Sequence, residues 1–548
     1  MNFAINRPQG FAGAGDQCLP DVVARLTDFL IELQDDYRWE DELFLSEKRL
    51  QTLALILVEF FEDLRNDIGL WRSLEGYQQE LFGTPLPLIV PPGKQWRGRD
   101  LIEARVRFLI SVLFPFMGGR LIGPDDFDLP DMSRPVTDFL LKAFVDVPRG
   151  SGIKQYLSQP VRHGWDVSDR LVWLGQSSYL FRLIFADKVP HNAAGEVETA
   201  AARNFLYSAT TAWAGLGVID ILAATLDITE PQRADVRSWY ERHLACYLVE
   251  TASKGELLLK NLFNEAYYRI PLQETDSLIE AGTLVRGALV PWAGVWYWVA
   301  EPEIYRQPTR DDFEEVKTAL IIEQPELIYL YDPDRLKQDQ ALVEAHYEAF
   351  VDCFFDDCRE FEEGTSMAQE LIEYRARVGQ PTEYDKLTYG FMSTAQKGGA
   401  SVETLPNHFT KIWYLQLEKL TTGGNGHGKV DERTDLLTYS KKYQGSIGVY
   451  FNRAEGLEVL TGYREIEEGL GTMGCLDTDE EANAVRRLVE AEHISPQFIE
   501  RLTEEVTDWA LPAAYGFRDH DHPLAVPFLL RQHKGHFYRK RYPNLKSL

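Results

Sequence analysis

The chain has 548 residues, of which 45% are hydrophobic and 26% are charged, and it contains 12 Trp, 25 Tyr and 29 Phe. This length exceeds what a single hydrophobic core usually supports, and the composition excludes wholesale disorder, so we expect two or three folded domains. The formal net charge of −28 argues against nucleic acid and anionic membranes as default partners, because the field of the whole chain repels them.

Cysteine usage and hydropathy indicate a cytoplasmic protein. The cysteines are odd in number and scattered, which favours a reducing compartment over a disulfide framework or a zinc site. The first residues lack the apolar core of a signal peptide. The most apolar stretch, 284–300, contains Arg286 and Pro291 and is shorter than the roughly 20 residues of a membrane-spanning helix. We therefore expect a buried helix pair there and no membrane contact.

The N-terminal part of the chain is predicted to be helical. After an irregular arm, apolar residues recur at helical spacing in several stretches. The predicted helices are 20–33, 46–64 with Ser46 as its cap, 100–117, 168–186 and 197–226. The proline-rich stretch 85–93 is predicted to be an extended connector between two helical subdomains, with a PxxP-type ligand for a partner domain as the alternative.

The middle of the chain is also predicted to be helical. A capping box at Thr229 opens a helix that runs to residue 251 or beyond, and the pattern continues through 254–268, 276–287 and 336–361. Four aromatic residues are interpreted as core, with stacking on a base, sugar or ring ligand as the alternative. They are Trp292, Trp296, Tyr297 and Trp298.

A change of pattern near 379–381 marks the predicted domain boundary. Beyond it, 413–417 is a candidate strand, and 447–451 and 457–460 are predicted to form a hairpin around a five-residue connection. Three helices follow. They are 463–470, 479–492 and 496–509, the last with Ser495 as its cap and Pro496 in its first turn. The predicted fold is thus mainly α, with a large helical N-terminal body (1–378) and a smaller α+β C-terminal domain (382–548).

The stretch 421–434 is predicted to be an exposed, protease-sensitive loop or hinge, because glycine removes side-chain constraint and its neighbours are polar. The residues that carry this prediction are Gly423, Gly424, Gly426, Gly428 and Lys429. The stretch is superficially similar to a phosphate loop, but Val430 follows Lys429 where Ser or Thr is required.

Two stretches contain candidate metal ligands. The first is Asp356, Asp357 and Glu360 on a predicted acidic helix, 352–363, where carboxylates one turn apart can share divalent cations. The second set suits a transition metal and consists of Asp519, His520, Asp521 and His522, with His533 and His536 as a complement. We interpret the first set as a solvated acidic face and the second as a polar loop.

Cys353 with His346 forms a candidate pair of nucleophile and base, but Cys353 lies on an apolar helical face and is interpreted as a small buried hydrophobe. The C-terminal segment 523–548 has no acidic residue, so it is predicted to dock on the acidic body or on an external partner. Its candidate partner-binding residues are Arg531, Lys534, Arg539, Lys540 and Arg541. Nucleic acid is expected only through this segment.

These observations favour an intracellular regulatory or protein-interaction protein without catalytic activity or cofactor, controlled by cleavage or rearrangement at 421–434. Protease-controlled effectors of bacterial antiviral defence have such an architecture, which is an analogy without a shared motif. The alternative is a divalent-metal-dependent enzyme that uses 352–363 or 519–522.

Overall fold

The computed structural model describes residues 6–37, 44–118, 121–253, 255–272, 279–305, 327–364, 366–367, 370–371, 374, 445–471, 479–503, 510–519 and 522–543. The chain divides into two compact units. Unit 1 comprises Met1–Tyr240, Pro291–Ala293 and Leu511–His536, and Unit 2 comprises Glu241–Val290, Gly294–Ala510 and Phe537–Leu548. The predicted boundary between 378 and 382 lies outside the described residues.

Helices make up most of the chain before the first strand, and a region that contains sheets follows, so the predicted fold is confirmed in outline. The helices of this first part are α1 (Leu19–Tyr37), α2 (Glu47–Asn66), α3 (Leu70–Phe82), α4 (Gly98–Leu113), α5 (Leu129–Ala143), α6 (Gly152–Leu157), α7 (Gly164–Ser177), α8 (Arg182–Lys188), α9 (Thr199–Ser208), α10 (Val218–Thr225) and α11 (Glu230–Ser238). The predicted helices 20–33, 46–64 and 100–117 correspond to α1, α2 and α4.

Two predicted helices are each divided in the structure. Ser178 has an extended backbone (φ −68°, ψ 152°) and separates α7 from α8 within 168–186. A turn with Ala214 in the left-handed region (φ 51°) separates α9 from α10 within 197–226. In both cases the apolar spacing continues across the break, because the segments on its two sides bury their apolar faces in the same unit.

The predicted connector 85–93 is folded into Unit 1. Leu86, Ile89 and Val90 are buried. The Val90 N–H donates to Leu86 O (2.9 Å), and Thr84 Oγ1 donates to Val90 O (2.6 Å). Because its apolar side chains are buried and its backbone turns on itself, the stretch does not present an extended PxxP ligand.

Strands follow α11, where helices were predicted. They are β1 (His243–Ser253), β2 (Glu256–Asn261), β3 (Tyr267–Pro271), β4 (Leu284–Trp292), β5 (Val295–Trp298) and β6 (Glu303–Tyr305), and they form a six-stranded sheet. The prediction of helix between Ser238 and residue 300, including the buried helix pair at 284–300, is therefore wrong for the described residues. β1 buries the consecutive residues Ala245, Cys246 and Tyr247, and such a run lacks the alternation that identifies a strand.

This sheet curls into a barrel. Its strand order is β3-β2-β1-β4-β5, with β6 paired to β4, and the two end strands β3 and β5 contact each other. One buried cluster, which includes Tyr247, Leu259 and Ile270, fills the interior. Of the four aromatic residues predicted to be core, Trp292 and Tyr297 are buried, whereas Trp296 and Trp298 are half-buried against this cluster.

The rest of Unit 2 combines helices with a second sheet. After α12 (Leu327–Tyr331) and α13 (Pro333–Phe354), the antiparallel strands β7 (Cys358–Phe361), β8 (Ile447–Asn452) and β9 (Gly456–Thr461) form a sheet in the order β7-β8-β9. The predicted hairpin is confirmed by β8 and β9. The predicted acidic helix 352–363 is wrong, because α13 ends at Phe354 and the residues of β7 pair with β8.

The three predicted C-terminal helices are present as α14 (Tyr463–Gly471), α15 (Asp479–Glu490) and α16 (Pro496–Thr503). Two further helices were not predicted, namely α17 (Ala510–Ala514) and α18 (Ala525–Lys534). The predicted cap of α16 is confirmed, since the Phe498 N–H donates to Ser495 Oγ at 3.1 Å. The candidate strand 413–417 lies outside the described residues. Among the residues that the structure describes, no helix combines the length and the apolar character needed to cross a membrane.

Candidate functional site

A group of buried carboxylates on α2 is the most unusual feature of Unit 1. Glu59, Glu62 and Asp63 lie within one turn of each other and are all buried. α2 is enclosed on every side near its C-terminal end, where each residue from Leu53 to Asp63 is buried. Buried carboxylates require hydrogen-bond donors or opposite charges, so the partners of these three residues define the site.

Asp63 holds the start of α3. Its carboxylate accepts hydrogen bonds from the backbone N–H groups of Gly69 and Trp71 (both 2.8 Å) and from Tyr179 Oη (2.7 Å). Gly69 is the N-cap of α3 and has no side chain with which to cap it, so Asp63 supplies the missing acceptor. Burial raises the pKa of Asp63, and the hydrogen bonds from Tyr179 and the backbone oppose that rise. This carboxylate has a structural role.

Glu62 anchors the N-terminal arm, residues 6–18. Arg7 Nη2 lies 2.6 Å from Glu62 Oε2 and 3.2 Å from an Asp16 oxygen, and the Arg7 and Glu62 side chains are both buried. Burial raises the pKa of Glu62 despite the attraction of Arg7. The arm also needs glycine, since a Cβ on Gly13 would lie 2.7 Å from Gly150 O. A buried ion pair therefore fixes this arm to α2.

Glu59 lies at the edge of a cavity. It accepts hydrogen bonds from Arg182 and from Asn6 Nδ2, the latter at 3.3 Å. Most of the space in the cavity is its open mouth, and the enclosed part has room for about one water molecule. Its apolar walls are Ile68, Leu70, Ile153 and Trp173, and Glu59, Asn6 and Ser177 supply polar groups. The Glu59 carboxylate at its edge is engaged by Arg182 and Asn6.

The sequence contained a sign of this site that the predictions did not use. Glu59, Glu62 and Asp63 interrupt the apolar pattern of the predicted helix 46–64, which corresponds to α2. Acidic residues on the enclosed face of a central helix indicate buried partners. The partners themselves, Arg7, Tyr179 and Arg182, are far away in the sequence and carry no pattern of their own.

The carboxylates of the first predicted metal site are paired with arginines. Arg501 Nη2 lies 3.0 Å from Asp356 Oδ2, and Arg501 Nε lies 3.2 Å from Asp357 Oδ1. Arg464 Nη2 lies 2.7 Å from Glu360 Oε1. Burial alone would lower the pKa of Arg501, but its hydrogen bonds to the two aspartates raise the pKa above its ordinary value. The guanidinium groups take the positions in which a bridging cation would have to bind.

The second predicted metal site is only partly described, since His520 and Asp521 lie outside the described residues. Asp519 contributes its backbone N–H, which donates to Asp125 Oδ2 at 2.6 Å, and His522 Nδ1 accepts a hydrogen bond from the Leu524 N–H at 3.1 Å. Within the part of the chain that the structure describes, no group of three His, Cys, Asp or Glu side chains is placed to hold a metal ion.

The proposed complement of that site lies among cations. His533 packs against Tyr515 with a centroid distance of 4.8 Å, and burial, together with Lys534 and Lys188, lowers the pKa of His533 to about 3. His536 Nδ1 lies 3.5 Å from Thr210 Oγ1. Positive charge beside the His533 imidazole opposes the binding of a metal cation there.

The basic C-terminal residues are largely engaged within the chain. Lys534 is fully buried, so it does not offer the partner contact that was predicted for it. Lys540 Nζ lies 3.3 Å from Glu241 Oε2, and Arg541 makes two hydrogen bonds with Glu455 (2.9 and 2.6 Å). For these residues the structure favours docking on the chain's own acidic groups over an external partner.

The remaining candidate pair, His346 and Cys353, lies on α13. His346 Nδ1 lies 3.0 Å from Tyr374 Oη, and Tyr374 Oη donates back to His346 O at 3.0 Å. Cys353 is half-buried and packs against the core of the second sheet, as its interpretation as a hydrophobe requires. The glycines 423, 424, 426 and 428 and Lys429 lie outside the described residues.

Comparison with known proteins matches part of the chain to a protein family. A model of the family DUF3843, described as a protein of unknown function, matches residues 32–191. No curated protein and no solved structure matches the chain. The matched span contains Glu59, Glu62, Asp63 and their partners Tyr179 and Arg182. The arm residues Asn6 and Arg7 precede it.

Proposed function

We propose that this chain is a non-catalytic regulatory protein of the cytoplasm that acts by binding another protein. The observation that carries the proposal is Phe355, the C-cap residue that directly follows α13. Its ring is 90% exposed, and its backbone lies in the left-handed region with a φ of 65°. Its N–H donates to Val351 O at 2.7 Å, which fixes the residue at the end of a long helix.

Both properties of Phe355 are unfavourable for the isolated chain. A left-handed backbone costs a residue with a Cβ about 1–2 kcal/mol, which is why glycine is usual at this position of a helix. Leaving the ring in water forgoes roughly 1.5–3 kcal/mol that its burial would contribute. A partner that covered the ring would recover this second term, and aromatic anchors of this kind dominate protein interfaces.

The surroundings of Phe355 indicate the kind of partner. Asp352 and Asp356 flank it and are exposed, in a chain whose net charge is −28. A protein with a basic surface around a small apolar pocket is complementary to this surface in both charge and shape. The pairing of Asp356, Asp357 and Glu360 with arginines supports binding over metal-dependent catalysis at this place.

The proposal is tested by placing a photo-crosslinking amino acid at position 355 in the cells that produce the protein. We expect one specific crosslinked protein, and we expect Phe355→Gly to lose that protein in a pull-down. The same substitution relieves the left-handed strain, so it should raise the free energy of unfolding by about 1 kcal/mol or less.

Phe127 supplies the matched control, because its ring is 77% exposed on Unit 1. A crosslinker at position 127 should not capture the same protein. If positions 355 and 127 captured the same set of abundant proteins, or if Phe355→Gly retained the partner, Phe355 would not be the anchor.

We further propose that cleavage at 421–434 regulates this binding. The support is the composition of the segment, with four glycines between Gly423 and Gly428 and polar residues around them. Limited proteolysis followed by mass spectrometry should place the first cut between residues 421 and 434. A first cut elsewhere, with this segment intact, would remove the basis for this part of the proposal.

A further inference from the structure

The barrel of Unit 2 has a specific arrangement of strands. β1 neighbours both β2 and β4, and β3 and β5 contact each other, so the circular order is β1-β2-β3-β5-β4. β4 runs antiparallel to β1, and β5 turns back after β4, so β3 and β5 run in the same direction. This order and direction are those of the OB barrel, a five-stranded Greek-key barrel.

β1 has a further property of such barrels. It is the longest strand of the sheet, and its pairing with β2 shifts register between Val249 and Thr251. A bulge of this kind bends a strand, which allows one strand to pair on both of its edges around a closed sheet. The turn between β4 and β5 is short, at Ala293 and Gly294.

The outer face of β2 and β3 carries an exposed aromatic ring between two cations. Side chains alternate along both strands, with Leu257, Leu259, Tyr268 and Ile270 inside. On the outside, Tyr267 lies directly opposite Lys260, and Arg269 lies two residues further along the same face. The Tyr267 ring is 59% exposed.

We propose that this face binds a short single strand of nucleic acid. OB barrels bind oligonucleotides and oligosaccharides on strands 2 and 3. A ring on which a base stacks, with cations placed to contact the backbone phosphates, is how single strands are bound without sequence preference. The exposed Glu256 lies on the same face at the start of β2, opposite Pro271, whereas Lys260 and Arg269 lie nearer to Tyr267. Two cations beside the only strongly exposed ring of the described barrel strands favour a polyanion over a neutral sugar.

The net negative charge of the chain lowers the affinity for a single-stranded oligonucleotide but does not prevent its contact with the outer face of β2 and β3. Lys260 Nζ lies 3.5 Å from Glu265 Oε2, but the Glu265 side chain is 78% exposed, so a phosphate can replace this weak surface pair. Charges more than about 8 Å away are largely screened at physiological salt. With two phosphate contacts, the logarithm of the affinity should fall with the logarithm of the salt concentration with a slope of about −1.4.

The test is fluorescence anisotropy of labelled oligo-dT and oligo-U with the full-length protein at low salt. We expect weak, saturable binding with the shallow salt dependence given above. Tyr267→Ala should lower the affinity about tenfold, since one stacked base is lost, and Arg269→Glu should lower it further. Tyr267 is on the outer face, so the melting temperature should change little, which separates lost binding from lost folding.

Two control variants locate the contact. Tyr538→Ala removes another exposed tyrosine, and Arg539→Glu alters the basic C-terminal segment. Both should bind as the unchanged protein does. The proposal is overturned if the protein does not bind either oligonucleotide at low salt, or if Arg539→Glu abolishes binding and Tyr267→Ala does not. It is also overturned if neutral oligosaccharides, and not oligonucleotides, bind in a manner that depends on Tyr267. None of these outcomes bears on the proposed protein partner of Phe355.

Discussion

Glu458 shows how one buried residue links two elements of Unit 2. Its side chain on β9 is buried, accepts a hydrogen bond from Asn452 Nδ2 (2.8 Å) and another from the Ser495 N–H (2.7 Å). It therefore connects the end of β8 to the start of α16. Burial raises the pKa of Glu458 to about 7, and these hydrogen bonds and that of the Ser495 hydroxyl only partly oppose the rise.

The raised pKa of Glu458 makes stability depend on pH. In the unfolded chain the pKa of this carboxyl has its ordinary value of 4.5, and in the folded chain burial raises the pKa to about 7. The folded state therefore binds the proton more tightly. The stabilising contribution is fully present below pH 4.5 and is lost as the pH rises through 7. The pKa difference corresponds to about 3 kcal/mol.

We predict that Glu458→Gln removes this pH dependence. Urea denaturation at several pH values between 4.5 and 8 measures the free energy of unfolding of both proteins. The effects of the other titrating groups cancel in the difference between the free energies of unfolding of the two proteins. As the pH rises, the free energy of unfolding of the variant should increase relative to that of the unchanged protein. A difference that stayed constant across this range would show that Glu458 titrates at its ordinary pKa in the folded chain.

Residue types were easier to predict than their partners. The sequence identified Asp356, Asp357 and Glu360 as a group of carboxylates, but Arg501, which pairs with two of them, lies 144 residues beyond Asp357. The same limit applies to Glu59, whose partner Arg182 is 123 residues away. Such pairs depend on the folded topology, and a single sequence contains no local pattern that reports them.

At the scale of single elements, two predicted helix caps differ in whether the serine side chain accepts a hydrogen bond from the helix backbone. Ser495 and Ser46 were both expected to cap helices from the same sequence pattern. Ser495 Oγ accepts a hydrogen bond from the Phe498 N–H, whereas Ser46 is the N-cap of α2 without a side-chain hydrogen bond. The stability of α16 is therefore expected to depend on the Ser495 side chain, whereas the stability of α2 should not depend on the Ser46 side chain.

We predict that Ser495→Ala lowers the free energy of unfolding by about 1 kcal/mol, because a buried backbone N–H loses its acceptor. Ser46→Ala is the matched control and should leave stability nearly unchanged. Chemical denaturation of both variants measures the two values. Equal losses of the free energy of unfolding in the two variants would show that the hydrogen bond of Ser495 is not the cause of its loss.

The elements that the sequence predicted well are those with local signals. The β8–β9 hairpin has a short polar connection between two apolar runs, and α16 has both a serine cap and a proline in its first turn. The barrel strands were missed for a physical reason. The capping box at Thr229 does form, since Gln232 Oε1 accepts the Thr229 N–H at 3.0 Å, but it says nothing about where the helix ends. The apolar run of β1 is buried on both faces and fits a buried helix equally well.

At the scale of the whole molecule, Unit 2 is assembled from segments on both sides of 375–444. β7 precedes this stretch and pairs with β8, which follows it. Side chains add to this pairing, because Arg501 contacts Asp356 and Asp357, Arg464 contacts Glu360, and Arg453 contacts Glu344. The buried cluster of the second sheet likewise contains Phe350 and Phe361 from before the stretch and Val449 and Phe451 from after it.

The contacts across 375–444 determine whether the two fragments separate after cleavage at 421–434. We predict that a cut there leaves two fragments that stay associated, because the strand pairing, the ion pairs and the apolar cluster all cross the cut. A recognition sequence for a specific protease, inserted in this segment of the full chain, makes the cut uniform. The cleaved protein should show two bands on a denaturing gel and elute as one species from a size-exclusion column.

Separation of the fragments should then require changes in both units, because Leu511–His536 of the C-terminal fragment belongs to Unit 1. Phe361 is buried between the two sides of the second sheet, and Phe528 is buried against Phe82 and Phe108. Phe361→Asp together with Phe528→Asp should make the cleaved protein dissociate, while Phe127→Asp, on an exposed residue of Unit 1, should not. The intact protein with both substitutions shows whether they alone unfold either unit. If the cut fragments separated without any substitution, the contacts across β7 and β8 would be too weak to hold them. In that case cleavage alone would release the C-terminal fragment, and regulation would need no second event.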